Sequence, residues 1–155
     1  GILHRTSHVW LVRKKNEKME ILLQKRSYEK SFPGCYDISS AGHIPAGVDF
    51  KESALRELKE ELGIDAAEDE LIHCGDRIIV WDDNFHGKPY HDRQYTKVFL
   101  MWNDMDESAF QLQAEEVDSV LWMDFEECWH GVENDTFNHC IVMEELEIVR
   151  SGLEK

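Results

Sequence analysis

Basic residues are scarce in this chain. Its 155 residues include 17 Lys and Arg against 32 Asp and Glu, a formal charge of −15. Phosphate backbones are held by clustered Lys and Arg, so this balance argues against a nucleic-acid surface. It leaves room for a small anionic ligand, which a bound cation and a few local basic residues can hold. The four cysteines, at 35, 74, 128 and 140, form no C-x-x-C pair, and His73-Cys74 and His139-Cys140 lack a second pair at zinc-finger spacing. Buried free thiols in a reducing compartment are therefore expected. The sequence shows no run of 18 apolar residues, no signal peptide and no lipidation motif. A protein of the cytoplasm that does not engage a membrane is the expectation. No repeat, low-complexity tract or linker divides the chain, and one domain over residues 1–155 is expected.

What is present suits a packed domain. Hydrophobic residues make up 42% of the chain, and five Trp, seven Phe and four Tyr supply large areas for burial. Val9-Trp10-Leu11-Val12 and Ile21 to Arg26 read as two strands joined by a polar turn near Lys15–Lys18. Phe32-Pro33-Gly34 turns into a short strand near Asp37-Ile38-Ser39, and Gly42 and Gly47 bracket a loop. Asp49 is placed as an N-cap with Glu52 three residues on, opening a helix from about 50 to 62 that stops at Gly63. Strands are expected near 71–81 and 95–102, with a long loop or hairpin arm between them, and again at Val120–Met123. Asp124 caps a short helix through Trp129, and the spacing from Asp135 to about Gly152 predicts a last helix. Interleaved strands and helices of this kind make an α+β fold: a helix–sheet–helix sandwich with a mixed sheet.

The most informative segment is Arg56-Glu57-Leu58-Lys59-Glu60-Glu61-Leu62-Gly63-Ile64. On a helix, Glu57, Glu60 and Glu61 fall within an arc of about 100°, and Leu55, Leu58 and Leu62 fall on an adjoining arc that faces the core. Like charges at this spacing cost roughly 0.2–0.5 kcal/mol per pair unless something neutralises them. A hard divalent cation such as Mg²⁺ does so, since it takes oxygen ligands and sits between carboxylates and phosphates. A solvated acidic face, with Arg56 and Lys59 paired to neighbouring glutamates, is the plainer alternative.

The surroundings favour the metal. Gly42, followed at the proper interval by Arg56 through Ile64, resembles the signature of the Nudix hydrolase family: a glycine, five residues, a glutamate, seven residues, then R-E-aliphatic-x-E-E-x-G-aliphatic. Gln24-Lys25-Arg26-Ser27, Phe32-Pro33-Gly34, Ala41-Gly42-His43 and Glu115-Glu116-Val117 are also similar to that family. One position departs: Val48 stands where the family has its first glutamate. The resemblance implies that Glu60 and Glu61 are the main ligands of an Mg²⁺ or Mn²⁺ ion. It makes Glu57 a further ligand or the group that orients the attacking water, and Arg56 the holder of a glutamate. The Ala41 carbonyl would complete the metal shell, with Asp49 or Glu52 assisting in place of Val48. Catalytic roles thus fall to Glu57, Glu60 and Arg56.

The chain also resembles the isopentenyl-diphosphate isomerase branch of that fold. That branch has a cysteine just before its Gly-His pair and a glutamate in a later strand; here Ala41 and Gln94 stand at those places, with Asp92 at a neighbouring metal-ligand position. Isomerisation needs one group to deliver a proton and another to take one, and neither a methyl nor an amide can, so isomerisation is rejected. His4 and His43 match histidines that bind metal in the isomerases, but are read here as separate surface or packing residues. Cys35 is read as a packing residue. Lys25 and Arg26, with Lys30, are candidates to meet a diphosphate. Trp81, Phe85, Tyr90 and Tyr95 lie near the long loop within reach of a ring to stack on, but core packing is expected for Trp81 and Tyr95, and Glu115 and Glu116 read as a solvated acidic pair. The function expected is metal-dependent cleavage of a small diphosphate molecule, a nucleoside diphosphate derivative by default, by a monomer or homodimer. The rivals are an isomerase and a diphosphate-binding module without catalysis.

Overall fold

The computed structural model describes the backbone of residues 3–30, 32–85 and 88–154 and the side chains of 4–30, 32–80 and 93–154. In chain order the elements are β1 (Leu3–Lys15), β2 (Lys18–Arg26), β3 (Tyr36–Asp37), β4 (Ser40–His43), α1 (Phe50–Leu62), β5 (Ile72–Phe85), β6 (Lys88–Trp102), β7 (Val117–Asp124), α2 (Phe125–Asn134) and α3 (Met143–Leu153).

Strand β1 organises the sheet. It runs parallel to β6 from Leu3 to Val12 and antiparallel to β2 only near the turn, from Val12 to Lys15. Asn16 and Glu17, both at positive φ, make that tight turn. Beyond it β1 and β2 part. Strand β4 takes the vacated edge of β1 at Thr6–Val9, β3 takes that of β2 at Gln24-Lys25, and β7 pairs along the other edge of β2. Ser39, between β3 and β4, spans the gap: its Oγ accepts from the Leu11 N–H at 3.0 Å and donates to the Leu22 carbonyl at 2.5 Å.

Alternation along β1 separates two cores. Val9 and Leu11 pack with Ala54, Leu58 and Leu62 of α1. Trp10 and Val12 pack with Cys128 and Val132 of α2 and Leu146 and Val149 of α3. The sandwich and its mixed sheet are as expected from the sequence.

The helix over 50–62 and its left-handed stop at Gly63 (φ 72°) are also as expected. Other boundaries differ. Asp49 is the N-cap of α1 but its side chain makes no capping hydrogen bond. Gly42 is not loop but part of β4, because its N–H and carbonyl edge joins β1. Of the two forms expected for 82–93, the described residues 82–85 and 88–93 take the hairpin arm, extending the ladder of β5 and β6. Helix α2 continues to Asn134 with Asp124 Oδ1 accepting from Glu127 N–H, and Asp135 ends it at φ 52°. The residues after it do not start a helix. They run extended, with the Tyr36 N–H donating to Asn138 O and the Cys140 N–H to Tyr36 O, and α3 begins at Met143.

Candidate active site

The signature residues meet where β4 crosses α1. The helix turns Glu57 towards β4, and a Cβ built on Gly42 would stand 2.5 Å from Glu57 Cδ. Glycine is required at 42 for that approach. A Gly42→Ala variant should therefore push Glu57 out of place and weaken divalent-ion binding at least roughly tenfold, as misplaced supports of metal ligands do; calorimetric titration with Mn²⁺ checks it.

Glu61 is buried at 6% exposure, with Gln24 Nε2 donating to its Oε1 at 3.2 Å and to the Ser39 carbonyl at 3.2 Å. Burial pushes its carboxyl up to about 8, against the pull of Gln24 and of a hydrogen bond from the Ala41 backbone, while the neighbouring Glu57 adds to the rise. Burial also raises Glu57, and Glu60 adds to it; Arg56 opposes both. Arg56 reaches Glu57 Oε1 at 3.7 Å and Glu60 Oε1 at 4.0 Å. Glu60 itself is half exposed.

This donor set fits a hard divalent ion by its chemistry. It consists of carboxylate oxygens, and burial makes Glu57 and Glu61 hold a proton more readily than an exposed carboxylate, a positive charge that a hard divalent ion can replace. The arrangement is incomplete: among the described residues no three acidic, imidazole or thiol groups stand ready at ligand spacing. Ala41, Glu57 and Glu61 are brought together, and Glu60 lies one turn away on the solvent side.

A cavity of about 630 Å³ adjoins this cluster through Ala41. Arg26, Asp37, Arg77, Gln94 and Glu145 line it, with Ile38, Ile79 and Ile141 as apolar walls. Arg26 is within 3.4 Å of Asp37 Oδ2, and burial raises the Asp37 carboxyl. Lys25 points elsewhere, 4.0 Å from Asp118 and over the Tyr28 ring. Lys30 pairs with Glu116, and both bear on the cluster: Lys30 favours the charge on Glu61 and Glu116 disfavours that on Glu57.

The cavity floor is a buried ion network. Glu145, 1% exposed, accepts from Trp10 Nε1 at 2.8 Å and Arg77 at 2.8 Å and meets His8 Nδ1 at 3.1 Å. Burial opposes its ionisation, but His8, Trp10 and Arg77 outweigh that and hold its carboxyl down at about 2. Sequence reasoning missed Gln24, Arg77 and Glu145. Glu145 had a legible signal: it sits four residues after Ile141 and four before Val149, on the apolar stripe of its segment.

Two histidine assignments change. His4 and His43 are not separate; their rings meet edge to face at 5.9 Å. Cys35 packs as expected, buried, with its Sγ donating to Asn138 Oδ1 at 3.2 Å. Tyr95 meets Phe50 edge to face and donates to Asp76 rather than joining the core. The side chains of Trp81, Phe85, Tyr90 and Asp92 lie outside the described residues.

Comparison with known proteins agrees with this geometry. An uncharacterised Nudix hydrolase of Clostridium acetobutylicum is 35% identical over 135 residues, covering 86% of this chain and 63% of that protein. An isopentenyl-diphosphate Delta-isomerase of Shigella boydii is 26% identical over 133 residues, covering 85% of this chain and 68% of that protein. The NUDIX domain of Shewanella oneidensis NrtR, solved with ADP ribose, shares the fold with a TM-score of 0.66 at 14% identity, over 99% of this chain and 88% of that one. Residues 3–140 match the NUDIX domain, and with Gly42 laid against Glu57 and Glu61 buried behind Ala41, the chain belongs to the Nudix family.

Proposed function

We propose that this chain hydrolyses a diphosphate linkage in a small molecule, such as a nucleoside diphosphate derivative, with the help of Mg²⁺ or Mn²⁺. The observation that carries the reading is the placement of the Glu57 and Glu61 carboxyls, one laid against Gly42 and the other buried, beside a cavity that shares Ala41 and presents Arg26. Glu57, Glu60, Glu61 and the Ala41 carbonyl would hold the ion. When bound, it lowers the pKa of a water and neutralises charge on the phosphate oxygens.

The chain's own residues supply the rest. Arg56 orients Glu57 and Glu60 through the contacts described above. Glu57, half-buried, orients the attacking water if it does not itself hold the ion. Arg26 offers a guanidinium to the departing phosphate, a task for which its planar fork is suited. The cavity houses the organic group and excludes water from it. Lys25 could join only by turning from Asp118. Isomerisation is disfavoured by the side chains that share the cavity: Ala41 and Gln94 have no acid or base to offer.

Phosphate release from a panel of diphosphates, with and without Mg²⁺ or Mn²⁺, tests the reading. Turnover that ignores the ions, or ligand-induced thermal stabilisation without turnover, would sink it. In the same assay Glu60→Gln should cut hydrolysis at least roughly tenfold and leave the fold intact, because Glu60 is half exposed. Unchanged turnover would remove Glu60 from the mechanism.

A further inference from the structure

Three buried hydroxyls stand out. Ser7, Ser40 and Ser53 are about 1% exposed, and their Oγ atoms have no hydrogen-bond partner among the described residues. Leaving a buried polar group unsatisfied is destabilising, so three in one layer call for a cause.

All three face α1. In β1, Val9 and Leu11 belong to the core under α1, so Ser7, two residues before Val9, points the same way. In β4, Ala41 lines the cavity while Gly42 faces Glu57, so Ser40 shares the α1 side with Gly42. The register sets Ser7 beside Gly42 and Ser40 beside Val9. On α1, Ser53, Glu57 and Glu61 follow one another at i, i+4 and i+8 along one stripe. The seam between α1 and the β1–β4 pair thus gathers three hydroxyls and two carboxyls amid Leu and Val side chains.

We propose that Ser7, Ser40 and Ser53 are positioning residues for the divalent-ion site, donating hydrogen bonds to the oxygens of Glu57 and Glu61 that the ion leaves free. The proposal rests on the metal-dependent reading of that cluster. An ionised carboxylate in an apolar seam needs a donor for each oxygen not on the metal, and O–H···O⁻ bonds are roughly twice as strong as neutral ones. A hydroxyl suits the task because it turns to follow the carboxylate and adds no charge. Outer partners of this kind orient the groups that touch the metal.

The test uses Ser7→Ala, Ser40→Ala and Ser53→Ala in the full chain. Thermal melts without added metal should show midpoints equal to or above the parent, since an unpaired buried polar atom is removed. Titration with Mn²⁺, followed by the electron paramagnetic resonance of the free ion, should show Kd weakened by roughly tenfold or more for Ser53→Ala, the serine nearest Glu57 along the helix. Binding within twofold of the parent in all three variants overturns the proposal; it would mean that internal waters serve these hydroxyls whatever the ion does. A lowered ion-free midpoint with unchanged Kd also overturns it, as a purely structural role. If the parent binds Mn²⁺ and Glu61→Gln abolishes that binding while the serine variants bind normally, only this proposal falls. If the parent binds no Mn²⁺, the metal-dependent reading falls with it.

Discussion

Glu145→Ala should lower the free energy of unfolding by about 3–5 kcal/mol, the range seen when one partner of a buried ion pair is removed. The size follows from what is stranded. Trp10 Nε1, in a fully buried side chain, loses its acceptor, and among the described residues Arg77 keeps the exposed Glu144. The two elements concerned, β1 and α3, are joined across one of the two cores by these bonds. The pH dependence has a definite sign. The folded carboxyl is held at about 2 against an ordinary 4.5, so its stabilisation is present above about 4.5 and is lost as pH falls towards 2. Urea denaturation at pH 7 and pH 3 measures both. A loss under 1 kcal/mol at pH 7 would show that the network adds little to the fold.

Glu61→Gln should act in the opposite sense on the ion-free protein. The folded carboxyl is raised to about 8 from 4.5, so the folded chain holds this proton more tightly than the unfolded one. The stability it contributes is full below about 4.5 and is lost as pH climbs to about 8. The variant, neutral at every pH, should lack that decline and be the more stable protein at pH 8. It should also lose hydrolysis by about 10²–10³-fold, the scale for removing a charge-stabilising group. In the parent, Mn²⁺ binding should release a proton and tighten as pH rises to 8. Melting curves from pH 5 to 8.5 decide the matter: parallel slopes for parent and variant would show that Glu61 is ionised throughout.

Helix α1 was legible because every local signal agreed: an apolar arc at Leu55, Leu58 and Leu62, a plausible cap, and a glycine where a left-handed stop was needed. Strand β4 was not, because Ser40-Ala41-Gly42-His43 has no apolar alternation and becomes strand only through the vacated edge of β1. The start of α3 was misplaced because residues 136–142 are apolar at near-helical spacing, yet Asp135 breaks the helix and the segment pairs with Tyr36. The candidate site divides in the same way. Glu57, Glu60, Glu61 and Arg56 were found in one short run of sequence. Gln24 on Glu61 and Arg77 on Glu145 were not, since these contacts join residues 37 and 68 positions apart and only the finished sheet creates them.

The parallel pairing of β1 with β6 has an outcome for how the chain comes to be made. Thr6 meets Thr96, 90 positions away, and no nearer segment supplies that edge of β1. On the ribosome β1 must wait until β6 has emerged, its Val9–Val12 stretch without a permanent neighbour on that side. Closure over such a span is slow, and a waiting apolar strand is open to wrong partners in the meantime. Yield of folded protein on rapid synthesis should therefore depend on chaperones more than the finished molecule's stability would suggest.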